Sequence, residues 1–334
     1  MSKSKTAYTL FLVLISFGFT QKFTLSNSIN IGYNSNPLRY SAEEIILSSK
    51  FLIFNTSLTT KANIFKRNTR FIFSAKNKYY TDIKEKSNYS LSFKVKQPLG
   101  NYQYLTFSYN YIDDIYIREY TDVDQGVLDY LYTGSDCYFD YSIVKIDYES
   151  PYIKKNYSNN KTKFNISYIY ETQYYNKYFT EFDLELKGLK FKLSTNNKKN
   201  KYNFLIGFIN ADNVTLNDHT LSTSYMDRGY KEYHINIYYE HKLENRKRFG
   251  ILLNNLHRRY TSKITEDQLH IDRKHLDSQI SIWHTFFINS IKNKITVKNR
   301  ERDTNSFYTW VKNLKTFDQY IIEYTVYFNT IGFK

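Results

Sequence analysis

The sequence predicts an all-β fold, a single antiparallel transmembrane β-barrel of about fourteen strands. Three observations predict it. Apolar residues recur at every second position over segments longer than the strands of soluble sandwiches. The connections between those segments alternate between short turns and long loops. Finally, an export-type segment opens the chain, and no later apolar run reaches the roughly 18 residues that a spanning helix needs.

The period of two is clearest between Tyr89 and Tyr111, where Tyr89, Leu91, Phe93 and Val95 alternate with Ser90, Ser92, Lys94 and Lys96. A turn at Pro98 to Asn101 follows, and Leu105, Phe107, Tyr109 and Tyr111 resume the pattern. Strands are predicted at 22–33, 54–66, 69–80, 88–97, 102–114, 137–148, 162–174, 180–194, 202–211, 231–242, 248–260, 274–287, 292–302 and 319–333. Two of them change phase, at Gly188 and between Ile143 and Val144, and a β-bulge is the expected cause. Long loops are expected at 34–53, 115–136, 212–230, 261–273 and 303–318, and an even strand number puts both termini on the short-turn side. The stretch 149–161 is long where that rule asks for a short turn.

At the N-terminus Lys3 and Lys5 precede the apolar run Leu10 to Phe19, the order of a signal peptide, which gives residues 1–20 as a signal with a cut near Gly18 or Thr20 and 21–334 as the barrel. The 35 Tyr and 25 Phe among 334 residues suit strands and a membrane interface, although an AT-rich genome yields the same excess. The formal net charge of +15 is spread along strands and turns rather than gathered in one arm, which argues against a nucleic-acid partner. Lys198-Lys199 and Arg246-Lys247-Arg248 sit in turns, in water or against lipid phosphate. Cys137 is the only cysteine, which excludes an intramolecular disulfide framework and a cysteine-based zinc site.

Hydrolase, nucleotide-binding and zinc-protease motifs are absent, and no cofactor is implied. Histidines 234, 241, 257, 270, 275 and 284 gather in the C-terminal third, where a His275–Ser278 pair would be the barrel-enzyme reading and a lumen lining the alternative. Asp113, Asp114, Glu119, Asp122, Asp124, Asp129 and Asp136 form an acidic loop that either is solvated or collects a hard cation. On the polar faces of strands fall Lys94, Lys96, Lys187, Lys298, Arg300 and Arg302, with Glu171, Asp183, Glu185, Glu240, Glu301 and Glu323 as possible ion-pair partners. These are the lumen-lining candidates: an excess of cations would favour anions, whereas full pairing would fill the barrel.

The export signal, the alternating aromatic strands and the last segment QYIIEYTVYFNTIGFK, with Tyr320, Ile322, Tyr324, Val326 and Phe328 on one face and Phe333 near the end, resemble Gram-negative outer-membrane β-barrel proteins. INIGYNSNPLRYS resembles a first strand and loop of such barrels. The resemblance implies an outer-membrane location, lipid as surroundings, recognition of the last strand by the barrel-assembly machinery, and passage of small solutes. The function expected is a passive channel or transporter. A plugged barrel that works through its outer loops is the alternative, an outer-membrane enzyme a third reading, and a soluble sandwich the rival fold. The barrel requires an outward apolar band about 25 Å tall with tyrosine-rich edges.

Overall fold

A computed structural model describes residues 23–42, 44–120, 135–154, 161–177, 179–216, 226–328 and 331–333. The signal segment, its candidate cuts, Asp122, Asp124 and Asp129 lie outside the described residues.

Fourteen long strands follow one another around a closed antiparallel sheet. They are β1 Phe23–Asn34, β2 Ser49–Ile64, β3 Arg67–Tyr80, β4 Asn88–Gly100, β5 Gln103–Tyr120, β6 Ser135–Glu149 and β7 Lys161–Tyr175. The second half comprises β8 Leu184–Asn196, β9 Asn200–Asn213, β10 Tyr230–Lys242, β11 Arg248–Tyr260, β12 Lys274–Ile288, β13 Ile291–Asn305 and β14 Phe317–Tyr327. The sheet closes where β1 pairs with β14, Ser28 opposite Tyr327 through Asn34 opposite Ile321. A short continuation, Ile331–Phe333, extends that seam along Phe23 to Leu25. Closure leaves no strand edge whose N–H and C=O groups would face hydrocarbon unpaired.

Alternation divides every strand between two environments. Outward positions carry Ile31, Phe54, Leu91, Phe107, Ile146, Leu189, Phe204, Ile235, Ile282, Val297 and Ile322, each large, apolar and exposed. Tyr89, Tyr109, Tyr168, Tyr202, Tyr233 and Tyr320 share that surface. Exposed rings and branched chains on a continuous belt are what lipid, rather than water, solvates.

The predicted bulges are not where the phase slips suggested. Pairing through Gly188 and through Ile143–Val144 is continuous on both sides. What changes is the chemistry of each face. Leu184 and Leu186 point inward into a packed cluster with Ile209, Ala211 and Tyr230, whereas Leu189, Phe191 and Leu193 point outward into the belt. Near the long loops the interior is dry and the exterior wet; lower down the two exchange. The extra residues sit instead in β5, between Ile112 and Ile115 and between Tyr116 and Arg118, with Asp114 at φ 46°.

The long connection 150–160 does not disturb the strand count, because Ile153–Lys154 folds back to pair with Lys161 and Thr162 at the edge of β7. β2 begins at Ser49 rather than 54, β5 continues to Tyr120, and 180–182 is a 3-10 turn before β8. A helix, α1 Thr309–Lys315, follows β13 with Val311 fully buried.

Two glycines make room for aromatic rings inside the barrel. A Cβ on Gly250 would lie 2.1 Å from Trp283 Cζ2, and one on Gly32 would lie 2.3 Å from Phe51 Cζ. Gly250→Leu is therefore expected to destabilise the barrel by about 2–3 kcal/mol, the usual cost of overpacking. Loss of the folded, SDS-resistant band at a lower temperature than in the parent protein checks this.

Candidate functional site

The inner face holds most of the charge. Register places Lys94, Lys96, Glu171, Glu240, Lys298, Arg300, Arg302 and Glu323 on the inner side of their strands. Glu185, Lys187 and Glu301 fall elsewhere: they alternate with inward Leu184, Leu186 and Arg300 and share the outer face. Above the belt that outer face meets water, and Lys187 pairs there with Glu185 at 3.7 Å. Asp183 belongs to the rim, where its Oδ1 accepts the Tyr175 backbone N–H at 2.6 Å.

Ion pairs inside the barrel are local. Glu149 takes Lys163 at 2.5 Å and Lys96 at 3.5 Å, Asp147 takes Lys145 at 2.8 Å, Glu323 takes Lys298 at 2.7 Å and Glu240 takes Arg248 at 3.2 Å. Glu232 binds Arg258 at 2.6 Å and also contacts His234. Asp277 holds two guanidiniums, Arg300 at 2.6 Å and Arg302 at 2.8 Å. Many lysines are left over: Lys76, Lys78, Lys94, Lys190, Lys192, Lys292 and Lys294 face inward with no carboxylate within 4 Å among the described residues. Of these only Lys94 stands among the candidates read from the sequence. Lys190 and Lys192 alternate with outward Leu189, Phe191 and Leu193, a signal that the neighbouring Leu184 and Leu186 obscured.

Described loop segments pack together at the outer end. The 35–48 loop is anchored by Asn36, whose Nδ2 donates to the carbonyls of Tyr40 at 2.7 Å and Asp318 at 3.1 Å, and by Gln319 Nε2, which donates to Asn34 Oδ1 at 2.8 Å. Its far end reaches β5, where Arg118 pairs with Glu44 at 2.8 Å and lies 4.9 Å above the Tyr40 ring. Ile83, Phe179, Asp267, His270 and Val311, all in long-side connections, are buried as well. Asp267 clasps two loops, accepting from Ser262 Oγ at 3.0 Å, from the Asp227 N–H at 2.9 Å and from His270 Nδ1 at 2.8 Å. Burial pushes its carboxyl up to about 6. The mouth is crowded with cations. Burial, then Arg39, Lys78 and Arg118, lower Lys86 to about 7; burial, then Arg118 and Arg273, lower Lys315 to about 7. Arg39, at φ 59°, is drawn down to about 9 by burial and by Arg300 and Arg302.

The serine and histidine of the enzyme reading do not meet. His275 faces inward and bonds Thr304 Oγ1 at 3.0 Å, whereas Ser278 lies on the opposite face of β12. His257 faces outward against Tyr233, and His241 bonds Asn200 Oδ1 at 2.6 Å. The β5 bulge gathers Asp113 and Asp114 with Asp140, their carboxylate oxygens within 4.8 Å of one another. Asp113 accepts from Tyr111 Oη at 2.7 Å.

No protein-family model matches the chain, and no curated protein matches it. Solved structures are similar in architecture. An anion-selective porin from Comamonas acidovorans is 8% identical, with 93% of this chain and 98% of that one covered and a TM-score of 0.46. The outer membrane protein OprD from Pseudomonas aeruginosa is 8% identical over 94% of both chains, with a TM-score of 0.40. CdiB from Acinetobacter baumannii is 10% identical over 92% of this chain and 60% of its own, with a TM-score of 0.48.

Proposed function

We propose that this chain is an outer-membrane channel for small solutes that prefers anions, with a cationic lumen below and an infolded loop layer at the outer mouth. The observation that carries this reading is the set of inward lysines without carboxylate partners. In a water-filled lumen walled by low-dielectric protein and lipid, unneutralised fixed charges concentrate mobile ions of the opposite sign and repel the others. Those lysines therefore require anions in the lumen. Transport is passive, with charge and constriction setting selectivity. The buried loop residues favour a second reading, a barrel occluded at its outer end that acts through its surface.

Single-channel recording of the refolded protein in a planar bilayer, with the reversal potential measured in a salt gradient, separates the two. Stable conductance with anion preference is the expected result; insertion without conductance overturns the channel. The preference should also strengthen as pH falls from 9 to 6. Lys86 and Lys315 have depressed pKa values near 7, so both are neutral above that pH and add positive charge to the mouth below it. Replacing both with methionine should flatten the pH dependence.

A further inference from the structure

Toward the short-turn end the lumen contains a cavity of about 510 Å³ whose walls differ in chemistry. Tyr238, Leu252, Trp283 and Phe287 give it an apolar, largely aromatic surface on β10 to β12, and Lys292 and Lys294 stand beside it on β13, Lys292 directly across from Phe287. The remaining charges around it are satisfied, Arg248 by Glu240 at 3.2 Å and Lys298 by Glu323 at 2.7 Å. Among the described residues Lys292 and Lys294 have no carboxylate within 4 Å, and each lies over a ring, Tyr327 at 4.0 Å from the first and Trp283 at 4.9 Å from the second. An ammonium over a ring gains about 0.5–2 kcal/mol. A carboxylate gives a shorter, charge-assisted hydrogen bond and displaces that contact readily.

We infer that this cavity is a binding site for aromatic carboxylates, the acid group held between Lys292 and Lys294 and the ring laid against Tyr238 and Phe287. Flat rings pair with the tilted Tyr238–Trp283 arrangement, whose centroids are 5.2 Å apart, better than flexible alkyl chains do. A small inorganic anion would satisfy the lysines but leave the apolar wall wet. This site deepens the channel reading and rests on it for its role, as the place where a permeating solute pauses at the inner mouth; the binding itself does not need conduction.

The chain has two tryptophans, and the other, Trp310, is exposed on α1 at the far end. In full-length refolded Trp310→Phe protein, Trp283 is the only tryptophan, and its emission is read with excitation at the red edge, where the tyrosines do not absorb. Titration with benzoate should change its emission saturably. Acetate and benzyl alcohol, which lack the ring and the charge respectively, should need at least about tenfold higher concentrations, and benzylamine should have no effect. Lys292→Gln with Lys294→Gln in the same background should weaken benzoate by about tenfold or more while the protein keeps its SDS-resistant band. Equal response to benzyl alcohol, or unchanged benzoate affinity in the folded double variant, overturns the site. Anion-selective conductance with a flat benzoate titration would remove the site and leave the channel. Saturable benzoate binding in a protein that does not conduct would do the reverse.

Discussion

Glu44→Arg is expected to raise the open fraction of the channel, and with it the mean conductance, severalfold. The 35–48 loop is held unequally at its two ends. At its base Asn36 makes reciprocal bonds with Tyr40, its Nδ2 donating to the Tyr40 carbonyl and its Oδ1 accepting the Tyr40 N–H at 2.9 Å, and Gln319 Nε2 adds a bond to the Asn36 carbonyl at 2.6 Å. At its tip Arg118 holds it, through Glu44 and the ring of Tyr40. Both members of the ion pair are about one-fifth exposed, so the pair contributes more than a surface contact and less than a fully desolvated one, about 1–3 kcal/mol. Reversing one charge removes that contribution and adds repulsion, which shifts a two-state loop by roughly tenfold or more. The exchanged pair, Glu44→Arg with Arg118→Glu, should restore the parent conductance. Single-channel recording of the three proteins checks this. Unchanged conductance in Glu44→Arg would mean that the base anchors alone keep the loop folded inward.

The barrel was legible because lipid enforces one rule over some ten residues of every strand: apolar outward, polar inward. The fourteen predicted strands match the observed ones to within a few residues wherever the strand lies inside the belt. The rule fails where strands rise above it. There Phe139, Tyr141 and Ile143, like Leu184 and Leu186, cover a dry interior, so apolar residues mark the inner face rather than the outer one. Read with the membrane rule, Glu185 and Lys187 look inward and Gly188 looks like a bulge, although the strand is regular and its inward cations are Lys190 and Lys192. The loop layer left no periodic trace at all. Glu44 and Arg118 are 74 residues apart and meet only because the first loop folds over the mouth toward β5. Likewise nothing in the spacing of Asp277, Arg300 and Arg302 announces that one carboxylate serves two guanidiniums; it takes the pairing of β12 with β13 to bring them together.

That shared carboxylate supports the second large effect. Asp277→Asn should lower the stability of the barrel by about 3–5 kcal/mol, the usual cost of removing one partner from a buried ionic cluster. Asp277 is 4% exposed and accepts four hydrogen bonds, from Arg300 Nε and Nη2 at 2.7 and 2.6 Å and from Arg302 Nε and Nη2 at 3.2 and 2.8 Å. Asparagine retains the shape but supplies no negative charge, leaving both guanidiniums, with Arg39 above them, to repel one another. The Phe317 ring, 4.9 Å from Arg302 and 5.6 Å from Arg300, offers only a weak substitute. Adding Arg302→Met to Asp277→Asn should recover part of the loss, because an apolar side chain there carries no desolvation debt. A double-mutant cycle on urea unfolding in lipid vesicles then isolates the coupling. The same asparagine variant should make the reversal potential more anion-selective, since it removes a fixed negative charge from the lumen. The two readouts test different environments. A large stability loss requires that the triad be shielded from water, as its burial indicates, whereas a change in selectivity without a stability loss would mean that lumen water reaches Arg300 and Arg302 and that permeating ions pass directly beside them.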